Sequence, residues 1–333
     1  MKVTRIMLLA KLFITLTFSA LLPAAPQPTL QPIQSDISEE SFQTMLVIES
    51  LKQLGYEIAP TKTMSYDEAY LYVSAHPEAF FAAGWLPLHQ DKYRAANASK
   101  SLYLGGNYVP RSAQGYMIDK KTALKYDITH IDQLKDPQIA KLFDHTDDGI
   151  ADLVGCKEGW GCAEVINHQI ERFGIIKTVS HHQGDYDTLM AETIQRYQDG
   201  KPILYYTWTP NWVANALIPN EDTVWLEVPF SALPGSRQKI DTTLPHGRNF
   251  GFEVNTQHIV ANKSLVLHNA DIHRLFEVMR LATSDISKEN WHQNNSNTDG
   301  YSAAEYTKKW IEENKPTFSA WIEEAKNAKE VKK

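Results

Sequence analysis

Cys156-Lys157-Glu158-Gly159-Trp160-Gly161-Cys162 holds both cysteines of the chain, six positions apart, and sets a tryptophan between two glycines. A tryptophan in so short and glycine-rich a loop has little local core to join, so its indole is expected to be presented to a ligand. Oxidised, the two cysteines would close a loop of about 7 residues, credited with roughly 2 kcal/mol of chain entropy. The larger consequence would be a fixed direction for the indole. The following run, Glu164-Val165-Ile166-Asn167-His168-Gln169-Ile170-Glu171-Arg172-Phe173, reads as a helix. Gly161 and Cys162 then fall in its first turn, where backbone N–H groups have no intrahelical acceptor. The stretch therefore reads as an anion site beside an aromatic wall.

Outward from this loop, helix and strand patterns alternate. Asp36 with Glu39 predicts a helix start, followed by Phe42, Met45, Ile48, Leu51 and Leu54 at helical spacing and a stop at Gly55. Tyr56 to Ala59 predicts a short strand. Ser65 with Glu68 predicts a capping box for a helix to about Ala75, and Ala79 to Ala83 is an apolar run ending at Gly84-Trp85. Further on, Gln114 to Ile118 predicts a strand, and Thr122 to Tyr126 and Ile131 to Lys135 predict helices. Asp185 to Gln198 predicts a helix closed by Gly200, and Ile203 to Thr207 a buried strand that delivers Trp208. Asn249 to Val260 is extended, and the chain from Asp271 onward is largely helical. Repeated strand and helix units over this length argue for two α/β lobes, and strand ends are where such proteins bind ligands.

The 333 residues are 43% hydrophobic and 22% charged, a globular composition with room for two domains. Residues 1–25 have the parts of a secretory signal: Lys2 and Arg5, an apolar segment through Leu22 interrupted by Lys11, then Pro23-Ala24-Ala25. Export would permit a disulfide, and two cysteines fit a single bridge. The formal charge of −7, with no basic cluster, excludes a nucleic-acid binder. The lysines from Lys326 to Lys333 read as a solvated helix face. Asp144, Asp148 and Gly149 sit at the offsets of a calcium loop, but Gly155 stands where the closing glutamate belongs, so an acidic turn is expected. His181 and His182 have no accompanying ligand cluster, and no metal is expected there.

Several motifs in this order resemble one family: Gly84-Trp85-Leu86-Pro87-Leu88-His89, Ala113-Gln114-Gly115-Tyr116, the Cys156 to Cys162 loop, Tyr205-Tyr206-Thr207-Trp208-Thr209-Pro210 and Trp225-Leu226-Glu227-Val228-Pro229-Phe230. Together with the signal sequence they are similar to the ProX family, the periplasmic glycine betaine/proline betaine-binding components of ProU-type ABC importers. The likeness spans nearly all of the mature chain. It implies an α/β, two-lobed type II periplasmic binding protein (a Venus flytrap) with the ligand cleft between lobes. The expected layout is residues 31–117 and 255–333 in one lobe and 118–254 in the other. The crossings are placed near Gln114 to Ile118 and Asn249 to Asn255.

By the same resemblance, Trp85, Trp160 and Trp208 would box a quaternary ammonium. His89 and the backbone N–H groups of Gly161 and Cys162 would hold the ligand carboxylate, and Cys156 would be bridged to Cys162. The chemistry fits, because a methylated ammonium cannot donate a hydrogen bond and is best held by π faces, at roughly 0.5 to 2 kcal/mol per ring. Leu86, Lys157-Glu158 and Asn211 depart from the family pattern without removing a box residue. Trp212, Trp225, Trp291, Trp310 and Trp321 are assigned to packing.

The expected protein is a monomeric, periplasmic solute receptor without cofactor, serving an inner-membrane ABC permease and its ATPase. A receptor for choline or carnitine is the alternative. An exported enzyme is a remote one, since the chain has no Gly-x-Ser-x-Gly, no His-Glu-x-x-His and no arginine in the Cys-x5-Cys loop.

Overall fold

A computed structural model of the chain describes residues 28–294 and 302–331, so the expected signal segment lies outside the described residues. Two sheets form. The first contains β1 (Gln31–Gln34), β2 (Lys62–Thr63), β3 (Ala79–Leu86), β4 (Leu102–Leu104), β5 (Val109–Ser112) and β11 (Asn255–Asn262). Its order is β2-β1-β3-β11-β4, with β5 also on β11. The second contains β6 (Gln114–Asp119), β7 (Ala151–Val154), β8 (Val179–His182), β9 (Leu204–Trp208) and β10 (Thr223–Trp225), in the order β10-β6-β9-β7-β8.

The chain passes from the first sheet to the second at Ala113, between β5 and β6, and β11 returns it to the first. A boundary after residue 117 would cut β6. Gln114 to Ile118 pair residue by residue with Trp208 to Leu204, which commits them to the second sheet.

Periodicity accounts for most elements. In the helix Ser41–Gln53 the side chains of Phe42, Leu46, Val47, Ile48 and Leu51 are buried, each contributing about 1.5–3 kcal/mol relative to exposure. The helix ends just before Gly55, whose φ of 91° is the left-handed conformation that favours glycine. Ser65 and Glu68 form the expected capping box on the helix Tyr66–Ala75. The helices Ala270–Val278, Ala303–Glu313 and Lys315–Val331 complete the first lobe, with Trp310 and Trp321 in its core as expected.

Three local expectations fail, one being the extended run from Asn249, which turns at Gly251 (φ 82°) and becomes strand only from Asn255. Tyr56 to Ala59 makes only an isolated bridge, Leu30 to Ile58. Asp36 and Glu39 do not cap a helix: a 3-10 turn over Ser38–Glu40 leads into Ser41–Gln53, with no side-chain cap on either. The carboxylates that local spacing assigns to capping are used over long range. Asp36 pairs with Lys157 of the second lobe, Glu39 accepts from Asn211 Nδ2 at 3.1 Å, and Glu40 turns inward. The lobes are drawn together along this seam, and Ile37, Tyr66 and Trp85 of the first lobe join the apolar cluster of the second.

Candidate functional site

The second lobe builds its wall from a strand end and a closed loop. After β7 the chain turns through Gly159, at φ 86°, and reaches Trp160 in extended conformation at the start of the helix Gly161–Arg172. Cys156 and Cys162 are bonded. The loop is also tied from below. Cys156 N–H donates to His181 Nε2 at 3.1 Å, and Gln183 Nε2 donates to the Cys156 carbonyl at 3.3 Å. With its Nε2 accepting, His181 carries its proton on Nδ1 and donates it to Asn167 Oδ1 at 2.7 Å. Burial holds this imidazole neutral by lowering its pKa to about 4. His181 thus serves as a structural prop.

Trp208, the last residue of β9, stands edge-on to Trp160, with ring centroids 5.9 Å apart and planes at 84°. Tyr186 backs Trp208 at 4.6 Å. Among the described residues, the N–H groups of Gly161 and Cys162 have no protein acceptor, as expected for a first turn. Leu88 of the first lobe closes over this helix end, and a Cβ at Gly161 would lie 3.2 Å from Leu88 Cγ.

The first lobe supplies Trp85 near the end of β3, and the turn that follows returns His89 N–H to the Trp85 carbonyl at 2.8 Å. His89 is fully buried against Tyr66, ring centroids 4.1 Å apart. Its Nδ1 lies 3.4 Å from the Tyr70 hydroxyl, which can only approach it as a donor if Nε2 carries the ring proton. Burial lowers its pKa well below the ordinary histidine range, with Lys92 and Arg237 adding to the effect. His89 is therefore neutral, without a charge of its own.

At the N–H edge of the Trp85 indole sits Glu40, which the sequence reading did not single out. Trp85 Nε1–H donates to Glu40 Oε1 at 2.7 Å, the Tyr66 hydroxyl donates to the same oxygen, and Ser35 Oγ donates to Oε2 at 2.6 Å. Its burial raises the carboxyl pKa to about 7 against the lowering effect of these donors. Its neighbour Glu39 is also pushed upward, first by burial and then by Asp187 across the seam.

The two walls face one pocket lined by Trp85, His89, Trp160, Gly161, Cys162 and Trp208 together. All six residues singled out from the sequence meet there, and the three indoles are each less than a tenth exposed. Tyr66 and Gln114 also line it and were not anticipated as site residues. Gln114 Oε1 accepts the Tyr206 hydroxyl at 2.6 Å, while its buried Nε2 has no partner and is a spare donor. The Ala113-Gln114-Gly115-Tyr116 motif was the available signal. Rings on three sides with a few donors at one end suit a small zwitterion whose cation is alkylated.

The Asp144 loop lies elsewhere and uses its carboxylates on its own backbone. Asp144 accepts from Gly149 N at 2.8 Å and Asp148 N at 3.3 Å, and Asp152 accepts from His145 N at 2.6 Å. Among the described residues, no group of three or more His, Cys, Asp or Glu side chains could hold a metal ion.

Residues 28–313 match the OpuAC family, the substrate binding domain of the ABC-type glycine betaine transport system. The chain is 47% identical over 297 residues to the glycine betaine/proline betaine-binding periplasmic protein of Salmonella typhimurium, covering 89% of this chain and 90% of that protein. It is 46% identical over 300 residues to the glycine betaine-binding periplasmic protein OusX of Dickeya dadantii, covering 90% of both. Its fold superposes on an ABC-transporter choline-binding protein in complex with choline with a TM-score of 0.68, at 14% identity, over 91% of this chain and 97% of that one.

Proposed function

The chain belongs to the OpuAC family of substrate-binding domains, and from that membership we propose that it captures glycine betaine or proline betaine in the periplasm for an ABC importer. The protein binds its ligand and does no chemistry on it. Trp85, Trp160 and Trp208 surround the quaternary ammonium, while His89 and the N–H groups of Gly161 and Cys162 receive the carboxylate. The lobe carrying the first sheet and the lobe carrying the second close on the ligand. The closed form is then presented to an inner-membrane permease with its ATPase.

The observation that carries this reading is the convergence of three indoles, from three separate segments and both lobes, on one cavity that also receives two unpaired helix N–H groups. The box gives the cation a water-free site, and the helix start gives the anion a preformed one. A ligand this small held by both ends is expected to bind in the micromolar range, roughly −8 kcal/mol. Calorimetric titration with glycine betaine, proline betaine, choline, carnitine and ectoine tests the proposal. Micromolar binding of the first two is expected; no binding of any quaternary amine would overturn it.

A further inference from the structure

We propose that Glu40 is the built-in counter-charge of the ammonium subsite, an ionised carboxylate placed behind the Trp85 indole to balance the ligand's cation. This rests on the betaine reading of the cavity and adds a residue that the box alone does not contain.

The hydrogen bonds favour one charge state. Three side-chain donors converge on the two oxygens of Glu40: Trp85 Nε1–H, the Tyr66 hydroxyl and the Ser35 hydroxyl. An indole N–H can only donate, and the Ser35 oxygen already accepts Ile37 N–H, leaving its proton for Glu40. Each of these bonds favours the ionised carboxyl against the burial that raises its pKa to about 7, so Glu40 is mostly a carboxylate at pH about 8.

That carboxylate lacks a protein counter-ion. It is only 2% exposed, and among the described residues no lysine, arginine or histidine stands within ion-pairing distance of it. The charged and titratable groups around it make matters worse or stay neutral: Asp36 opposes its ionisation, Glu39 is its chain neighbour, and the Tyr66 and Tyr70 hydroxyls are held far above their ordinary range. Its raised pKa is the consequence of burial without a cation. A buried charge left unpaired destabilises a fold unless something else compensates it. The pocket lined by Trp85 is where a balancing cation would sit.

The geometry also works through the ring. An indole that donates its N–H to a carboxylate is polarised toward greater electron density on its face, which strengthens its attraction for a cation. Glu40 touches no ligand directly in this arrangement, so it acts as a positioning and charge-balancing residue. Trp160 has no equivalent: its Nε1 is buried without a partner.

Glu40→Gln separates charge from shape. A glutamine oxygen can keep accepting Trp85 and Tyr66, and its amide can donate to Ser35 Oγ, so the wiring is retained while the charge is removed. At pH about 8 the Glu40→Gln protein should bind glycine betaine about tenfold more weakly or worse, while the ligand-free protein melts at the same temperature or higher, because an unpaired buried charge has gone. Glu40→Asp keeps the charge at the expense of reach and should bind better than Glu40→Gln. A merely structural Glu40 gives the opposite order, with the isosteric glutamine close to wild type. Glu40→Gln binding within about threefold of wild type, melting clearly lower, or failing to fold would each overturn the proposal. Absence of betaine binding by the wild type would instead sink the ligand assignment itself.

Discussion

The two walls of the cavity are held by different physical means. The second-lobe wall is stiffened locally: Trp160 lies inside a loop closed by the Cys156–Cys162 bond, the helix Gly161–Arg172 starts immediately after it, and Trp208 ends a paired strand. The first-lobe wall is held from a distance. Trp85 is aimed by Glu40, 45 positions earlier, and His89 is clamped between Tyr66 and Tyr70 from another helix. A local covalent constraint tolerates changes elsewhere in the chain, whereas a buried polar scaffold depends on every member being satisfied. The first wall also carries the buried Glu40 carboxyl, and the second carries the unpaired N–H groups.

The sharpest way to break this contrast is to remove a ring from the locally held wall. Trp160→Ala is expected to abolish measurable betaine binding, and Trp160→Phe to keep part of it, since a smaller ring retains some quadrupole. Titration of both variants checks this; equal affinity of Trp160→Ala and wild type would refute the box.

The next effect concerns the donor end. Choline shares the trimethylammonium of glycine betaine and fills the indoles equally, so discrimination falls to His89, Gly161 and Cys162. Leaving their donors buried and unpaired should cost about 1 to 3 kcal/mol each. Choline should therefore bind at least about 100-fold more weakly than glycine betaine. His89→Ala should narrow that gap by weakening glycine betaine far more than choline. Two affinities that fall in parallel would mean that His89 does not read the carboxylate.

Reduction of the disulfide sharpens the comparison from the other side. A ring this small constrains few residues, but they include the ligand wall, so dithiothreitol should weaken betaine binding more than it lowers the thermal midpoint. A midpoint that collapses while affinity holds would assign the bond to global stability instead.

The smallest expected effect lies where the walls meet. Gly161→Ala suits the helix but sets a Cβ 3.2 Å from Leu88 Cγ across the cleft. The ligand-free protein should melt unchanged or slightly higher while affinity drops about threefold to tenfold. Unaltered affinity, measured by titration, would show that Leu88 yields without cost.

Much of this was legible in advance because it is written in short-range pattern. The 3.6-residue spacing of Phe42, Ile48 and Leu51 and the Ser65–Glu68 box require only neighbours a turn away. The loop from Cys156 to Cys162 contains its own constraint, and the placement of Gly161 and Cys162 at a helix start follows from what comes next in the chain. Asp36 and Glu39 misled for the same reason: their spacing satisfies a local capping rule, but their partners are Lys157 and Asn211 in the other lobe.

By itself, then, the sequence determined the alternating α/β lobes and a glycine-flanked tryptophan before a helix start, while Trp85, His89, Trp208 and the bond from Cys156 to Cys162 were reached through the family resemblance. Only the tertiary structure decided that β6 joins the second sheet from its first residue, that Gln114 offers a spare donor, and that Glu40 stands behind Trp85. Periodicity and turn chemistry are properties of neighbouring residues, while the burial of a carboxylate and the choice of its donors depend on segments brought together by packing of both lobes.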